Sequence, residues 1–254
     1  MSSTAFSGKV FRTWDVTTGG ITLADATQKT ITFAMPENAV ELTTAYNYPS
    51  IRVMTRKLAN INTDRRLSDI IAEIKAQDAD IVSLVQVRMA IEGKTYEDVI
   101  NGVKTEYPYS LVVKGQTNSE LYYNIILSKN PVTKKAEKTL GNSCTAVHAE
   151  TVAKGKTFDV IVGYDTIPNV SDWVQTQNEA SGNDFLVLAH NTGTLTSYGG
   201  KAVYNTGAST NGNMGIMVSS ENVVAVDKNL VTPALGGNGQ YSEMWVVDLV
   251  YMAE

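Results

Sequence analysis

The chain has 254 residues, of which 43% are hydrophobic, and a formal charge of -5 from 21 basic and 26 acidic side chains. That length and apolar content can bury a large core without disulfides or a structural metal, and the single Cys144 excludes an internal disulfide framework and reads as a buried or incidental thiol. The acidic balance gives no global basic footprint for binding a phosphate backbone, so no specific nucleic acid is expected as a partner.

The first ten residues, MSSTAFSGKV, lack an apolar leader core, and no apolar run is long enough to span a bilayer. No membrane span is expected. Virion or bacterial cytoplasm is the expected location, or an extracellular surface if a signal peptide has been trimmed. From Lys9 to Tyr48, short alternating runs (GITL, KTITFAM and AVELTTAY) are broken by Thr18-Gly19-Gly20 and Met35-Pro36-Glu37-Asn38. Alternation of this kind predicts half-buried strands joined by tight turns, a small antiparallel β extension over residues 1–48. Phe11, Trp14, Gly19, Gly20, Phe33, Met35, Pro36, Ala39 and Val40 resemble the second half of a bacterial β repeat of the internalin B type. That resemblance implies a bacterial or phage ancestry. Half a repeat is too small to stand alone, so it should pack on the larger domain or on a neighbouring chain.

From Ser50 the pattern changes to strand, helix, strand, and a second domain is assigned to residues 49–254. Ile51, Val53 and Met54 form a short strand. Asn62 or Thr63 can cap a helix on which Leu67, Ile70, Ile71 and Ile74 recur at helical spacing. IVSLVQV then reads as a strand buried on both faces. A second helix is predicted from Thr95 to Lys104, with strands at YPYSLVV and YYNIILSKNPV after it. Further strands are expected at FDVIVGY and FLVLAHN, with a polar helix near Ser171 to Ala180 between them. KAVYN, MGIMVS and NVVAV lie within a tract, Thr192 to Gln240, rich in Gly, Asn, Ser and Thr. YSEMWVVDLVYM closes the chain as a strong strand.

The stretch from Ser50 to Val87, together with Asn124, Ile126, Leu127, Ser128, Pro131 and Val132, resembles the endonuclease/exonuclease/phosphatase superfamily. The resemblance implies an α/β fold, a two-sheet α/β sandwich, and in active members hydrolysis of phosphate esters with a divalent metal. Its motif positions are altered here. The aromatic-Asn pair that ends the first strand reads Arg56-Lys57, and Gln-Glu-Val, which carries a metal ligand, reads Val85-Gln86-Val87. Thr-His-Leu falls near Val162 to Thr166, where the chain has GYDT and Asp165. Gly-Asp-x-Asn aligns Leu188, Ala189 and Asn191, with His190 at the intervening position. Ser-Asp-His becomes Ser242-Glu243-Met244.

A hard divalent cation needs carboxylate oxygens, which an amide, an ammonium or a thioether does not replace. No catalytic residue, metal ligand or cofactor is therefore assigned; Lys57, Gln86, Asp165, Ala189, Asn191, Glu243 and Met244 are read as vestigial cleft positions. The leading expectation is a non-catalytic structural or interaction protein, a phage virion or surface-assembly component whose partners are other protein subunits. Two alternatives stand beside it. One is a metal-dependent phosphodiesterase or nuclease rewired around Asp165, Glu243, His190 and Gln86. The other is a pseudoenzyme that binds phosphate or glycan through Lys57, Gln86 and Asn191. Arg52, Arg56, Lys57 and Arg65-Arg66 are the nearest approach to a basic patch, with a solvated helix face and strand end as the competing reading.

Overall fold

The computed structural model describes residues 9–59, 61–117, 120–139, 145–163, 173, 176–177, 181–190, 197–198, 201–207, 214–219, 221–231 and 244–253. Strands β1 (Val10–Thr18) and β2 (Glu41–Asn47) pair antiparallel. The strands expected at GITL and KTITFAM do not form; apart from a bridge at Thr30, residues 20–40 run as loop and turn. Trp14 supplies the reason. Its backbone N–H donates to Ala26 O at 2.9 Å and its indole Nε1 to Gln28 O at 3.0 Å, which commits the loop to the free side of β1. Asp25 folds the same loop into a local turn by accepting from the Thr27 N–H at 2.9 Å and from Gln28 Nε2 at 3.0 Å. Local side-chain bonds thus take the groups that a strand ladder would have used.

Strand β3 (Ile51–Lys57), helix α1 (Asp64–Gln77) and β4 (Ile81–Val87) follow as a parallel crossover unit. Thr63, not Asn62, caps α1 by accepting from the Arg66 N–H, and Asp78 ends the helix in the left-handed region at φ 48°. Helix α2 (Tyr96–Val103) opens on a reciprocal capping box between Thr95 and Asp98. Strands β5 (Tyr109–Thr117) and β6 (Glu120–Ser128) form a hairpin. They are followed by β7 (Val132–Thr139), β8 (Thr145–Ala153) and β9 (Lys156–Gly163). Next come β10 (Asp184–His190), β11 (Ser197–Tyr198), β12 (Lys201–Asn205) and β13 (Met214–Ser219). Strands β14 (Val223–Val231) and β15 (Met244–Ala253) close the described chain. In the region of the expected polar helix, Trp173, Thr176, Gln177 and Ser181 are helical, and its other residues lie outside those described.

These strands build two sheets packed face to face. One runs β1-β2-β15-β3-β4-β6-β5, with β14 also paired to β15; the other runs β11-β12-β13-β10-β9-β8-β7. The N-terminal hairpin enters the first sheet where β2 meets the end of β15, at Asn47↔Met252 and Tyr46↔Ala253. Side-chain alternation divides the apolar residues into two layers. Val53, Val85, Ile126, Val160, Leu186 and Val247 meet between the sheets. Met54, Leu67, Ile74, Val82, Val103 and Leu127 lie between the first sheet and the helices. Burying each such side chain stabilises the fold by about 1.5–3 kcal/mol. No helix among the described residues is long and apolar enough to cross a membrane.

The basic residues of β3 and α1 do not gather into one patch. Arg52 makes a two-pronged pair with Asp248, at 2.8 Å from both Nε and Nη2, at one end of β3. Arg56 is 1% exposed and pairs with Glu73 of α1, so its guanidinium is spent beneath the helix. Arg65 faces Asp69, and Arg66 is buried and donates to Ala59 O. Alternation along β3 sends Arg56 to the helix layer, whereas Lys57 keeps the parity of Val53 and Thr55 on the face toward the second sheet.

Candidate functional site

The described motif positions, Lys57, Gln86, Ala189 and Met244, lie at one end of the sandwich. Lys57 ends β3 and Gln86 lies near the end of β4, next to Val85, whose Cα partner is Lys57. Met244 opens β15 opposite Arg56. In the second sheet Ala189 pairs with Gly163 on one side and Gly215 on the other. Asn124 of β6 fixes the two sheets to each other at this end. It is 1% exposed, its Oδ1 accepts from the Gln86 N–H at 3.0 Å, and its Nδ2 donates to Thr145 O at 3.0 Å. Thr145 begins β8 beside Ala146, the partner of Gly163, and its hydroxyl donates to Lys114 O at 3.1 Å.

Gln86 is held in an unusual way. The β4–β6 ladder shifts register between Leu84 and Val87, and Gln86 within that shift adopts φ 54°, the left-handed region that few non-glycine residues enter. The Asn124 bond satisfies the amide that the bulge withdraws from the ladder. Gln86 is 7% exposed, and its Oε1 is buried without a hydrogen-bond partner among the described residues. One row deeper, Trp245, Thr55 and Ser83 stand side by side across β15, β3 and β4. Trp245 Nε1, Thr55 Oγ1 and Ser83 Oγ are likewise buried without a partner. Four uncharged hydrogen-bonding groups therefore lie at and beneath this end of the first sheet, where a buried polar group is expected to find a partner.

Not every expected position belongs to the cleft. Met244 is fully buried in the layer beneath the helices with Met54, Leu58 and Val246, so its thioether packs away from the space between the sheets. Asp165, Asn191 and Glu243, and the side chains of Ala189 and His190, lie outside the described residues. His148 is not at this end. Its neighbours Val147 and Ala149 face the inner core, which places His148 and Asp159 on the outer face of the second sheet, with Nε2 2.9 Å from Asp159 Oδ1. Burial opposes ionisation of Asp159, yet hydrogen bonds from His148, Ser181 and Asn183 hold its carboxyl below the usual carboxylate range. Ser181 donates to Asp159 rather than to the imidazole, so these three residues lack the arrangement that activates a serine.

Among the described residues, the side chains at these motif positions do not suit a hard divalent cation. Gln86 offers a neutral amide, Lys57 an ammonium that repels a metal, and Met244 a thioether turned away. Among the described residues no group of three or more His, Cys, Asp or Glu side chains could hold a metal ion. The bridging role of Asn124 is not encoded in any of the motif positions. A single Asn within the apolar run YYNIIL, at the inward parity of Ile126, was the available signal.

No family model matches the chain, and no curated protein does. Solved structures do. The human Nocturnin catalytic domain with a bound sulfate anion is similar at a TM-score of 0.57 and 14% identity, over 81% of this chain and 94% of that one. An endonuclease/exonuclease/phosphatase from Bacteroides vulgatus reaches 0.54 at 12% identity, over 79% of this chain and 98% of that one. A mannosyl-6-phosphatase from Bacteroides thetaiotaomicron reaches 0.52 at 11% identity, over 79% and 100%. The fold is that of the endonuclease/exonuclease/phosphatase proteins.

Proposed function

We propose that this chain recognises a phosphate ester in the cleft at the ends of β3 and β4 without hydrolysing it through a divalent cation. Gln86 carries the reading. It stands where the resemblance puts a metal-binding glutamate, Asn124 fixes its backbone, and its amide offers a neutral acceptor and donor. Lys57 at the neighbouring strand end supplies positive charge for phosphoryl oxygens. A Nocturnin domain that carries sulfate and a phosphatase named for a phosphorylated mannose support phosphorylated small molecules as the first probes.

Calorimetric titration with mannose 6-phosphate in EDTA tests this. Saturable binding, weakened about tenfold by Lys57→Ala, is expected; that factor corresponds to about 1.4 kcal/mol. No heat of binding for mannose 6-phosphate or for bis(p-nitrophenyl) phosphate would remove the reading.

A second reading, metal-dependent phosphoesterase chemistry on a rewired site, is favoured by the fold that the chain shares with phosphatases. Phosphate released in Mn²⁺ or Mg²⁺ and suppressed by EDTA would establish it in place of the first. The virion or surface-assembly role expected from the sequence draws no support from these neighbours. A stable monomer in solution would count further against it.

A further inference from the structure

A cavity of about 260 Å³ lies at the end of the sandwich opposite Lys57 and Gln86. The turns that precede β3, β9, β10 and β14 build it together with the end of β15. Its lining includes an ion pair between half-buried Lys156 and buried Asp184, Nζ 2.6 Å from Oδ2. The second oxygen of Asp184 accepts from Ser219 Oγ at 2.7 Å. The rings of Tyr48, Phe158 and Tyr251 surround the Lys156 ammonium at 5.4, 5.8 and 4.9 Å. Cation and carboxylate cancel, while the ammonium has N–H donors beyond the one that Asp184 takes.

Apart from Met252 the other walls are polar: Thr157, Asn183, Glu221 and Asn222. Gly155 and Gly182, at φ +83° and +72°, bring side-chain-free backbone to the wall, and a Cβ on either would meet no atom closer than 4.0 Å. An anion entering the cavity would approach Asp184 and Glu221. A cation would approach Lys156, and Lys9 on the Tyr48 ring at 5.3 Å. Both signs of charge are thus opposed, and hydroxyl groups suit the paired donors and acceptors that remain. We infer that this cavity binds a neutral polyhydroxylated ligand of the size of a saccharide residue, at a site independent of the cleft.

The test is amide NMR of the full chain titrated with mannose, N-acetylglucosamine and myo-inositol, with sodium sulfate and choline chloride as charged controls. Saturable shifts confined to residues 155–157, 182–184 and 221–222 are expected for at least one polyol, undiminished in Lys57→Ala. Asn222→Trp should abolish them with the melting temperature unchanged, because the described bond of Asn222 is made by its backbone oxygen to the Met252 N–H. Thr157→Phe, on another wall, serves if the first variant misfolds. Three results would overturn the inference: no polyol saturates these amides, sulfate or choline saturates them, or the shifts survive a filled cavity.

Discussion

Replacing Asn124 with alanine probes how the cleft is held. The side chain is 1% exposed and makes two bonds of 3.0 Å, accepting from the Gln86 N–H and donating to Thr145 O. Truncation strands both backbone groups where water does not reach. Each unsatisfied buried group costs about 1–3 kcal/mol, so the pair should cost about 2–5 kcal/mol, less whatever Gln86 recovers by leaving its left-handed conformation. For a chain of this size each kcal/mol moves the midpoint by about 2–4 °C, which gives a fall of about 4–20 °C. Urea denaturation followed by circular dichroism measures the loss directly, and mannose 6-phosphate affinity should fall with it. A loss below about 0.5 kcal/mol, the range of ordinary surface substitutions, would refute the bridging role.

Three further outcomes are expected. In Gly115→Ala the new Cβ would stand 2.4 Å from Cζ of Tyr122, a ring that is 0% exposed and has little room to retreat; a loss of about 1–3 kcal/mol by urea denaturation is expected. Glu73→Ala leaves the Arg56 guanidinium buried without its carboxylate and should cost about 3 kcal/mol, most of which the double variant Arg56→Met, Glu73→Ala recovers; equal losses in both variants would contradict this. The depressed folded value of Asp159 means that its carboxylate contributes stability above the ordinary aspartate value, about 3.9, and that this contribution is lost as pH falls through the lower folded value. Melting temperature followed from neutral into acid should therefore drop more steeply for the parent chain than for Asp159→Asn.

Those parts of the fold with strong local signals were legible in the sequence. The β3–α1–β4 unit combines a capping threonine, apolar residues at helical spacing and a seven-residue run buried at every position. Strands β7 and β8 carry no such signal. VTKKAEKT is an edge strand that is almost wholly exposed, and TAVHAETVA fills its inner face with small alanines and turns His148 outward. The reverse error arose at GITL and KTITFAM, where alternation was present and Trp14 drew the loop across β1 instead. At the site, Lys57 and Met244 both stand at strand ends, but strand parity turns Lys57 toward the second sheet and Met244 into the helix layer, which motif spacing does not encode. The bulge that gives Gln86 its φ of 54° and the Asn124 bridge arise from contacts 38 residues apart, which no local pattern encodes.

Phosphorus-31 NMR of mannose 6-phosphate with the purified chain, first in EDTA and then with excess Mn²⁺ added and chelated again before recording, reads binding and turnover in one sample. Metal-free recognition predicts saturable broadening of the ester signal in EDTA, relieved in Lys57→Ala, and no inorganic phosphate after exposure to metal. A sharp, unshifted ester signal in EDTA, or inorganic phosphate that appears only after exposure to metal, would contradict it.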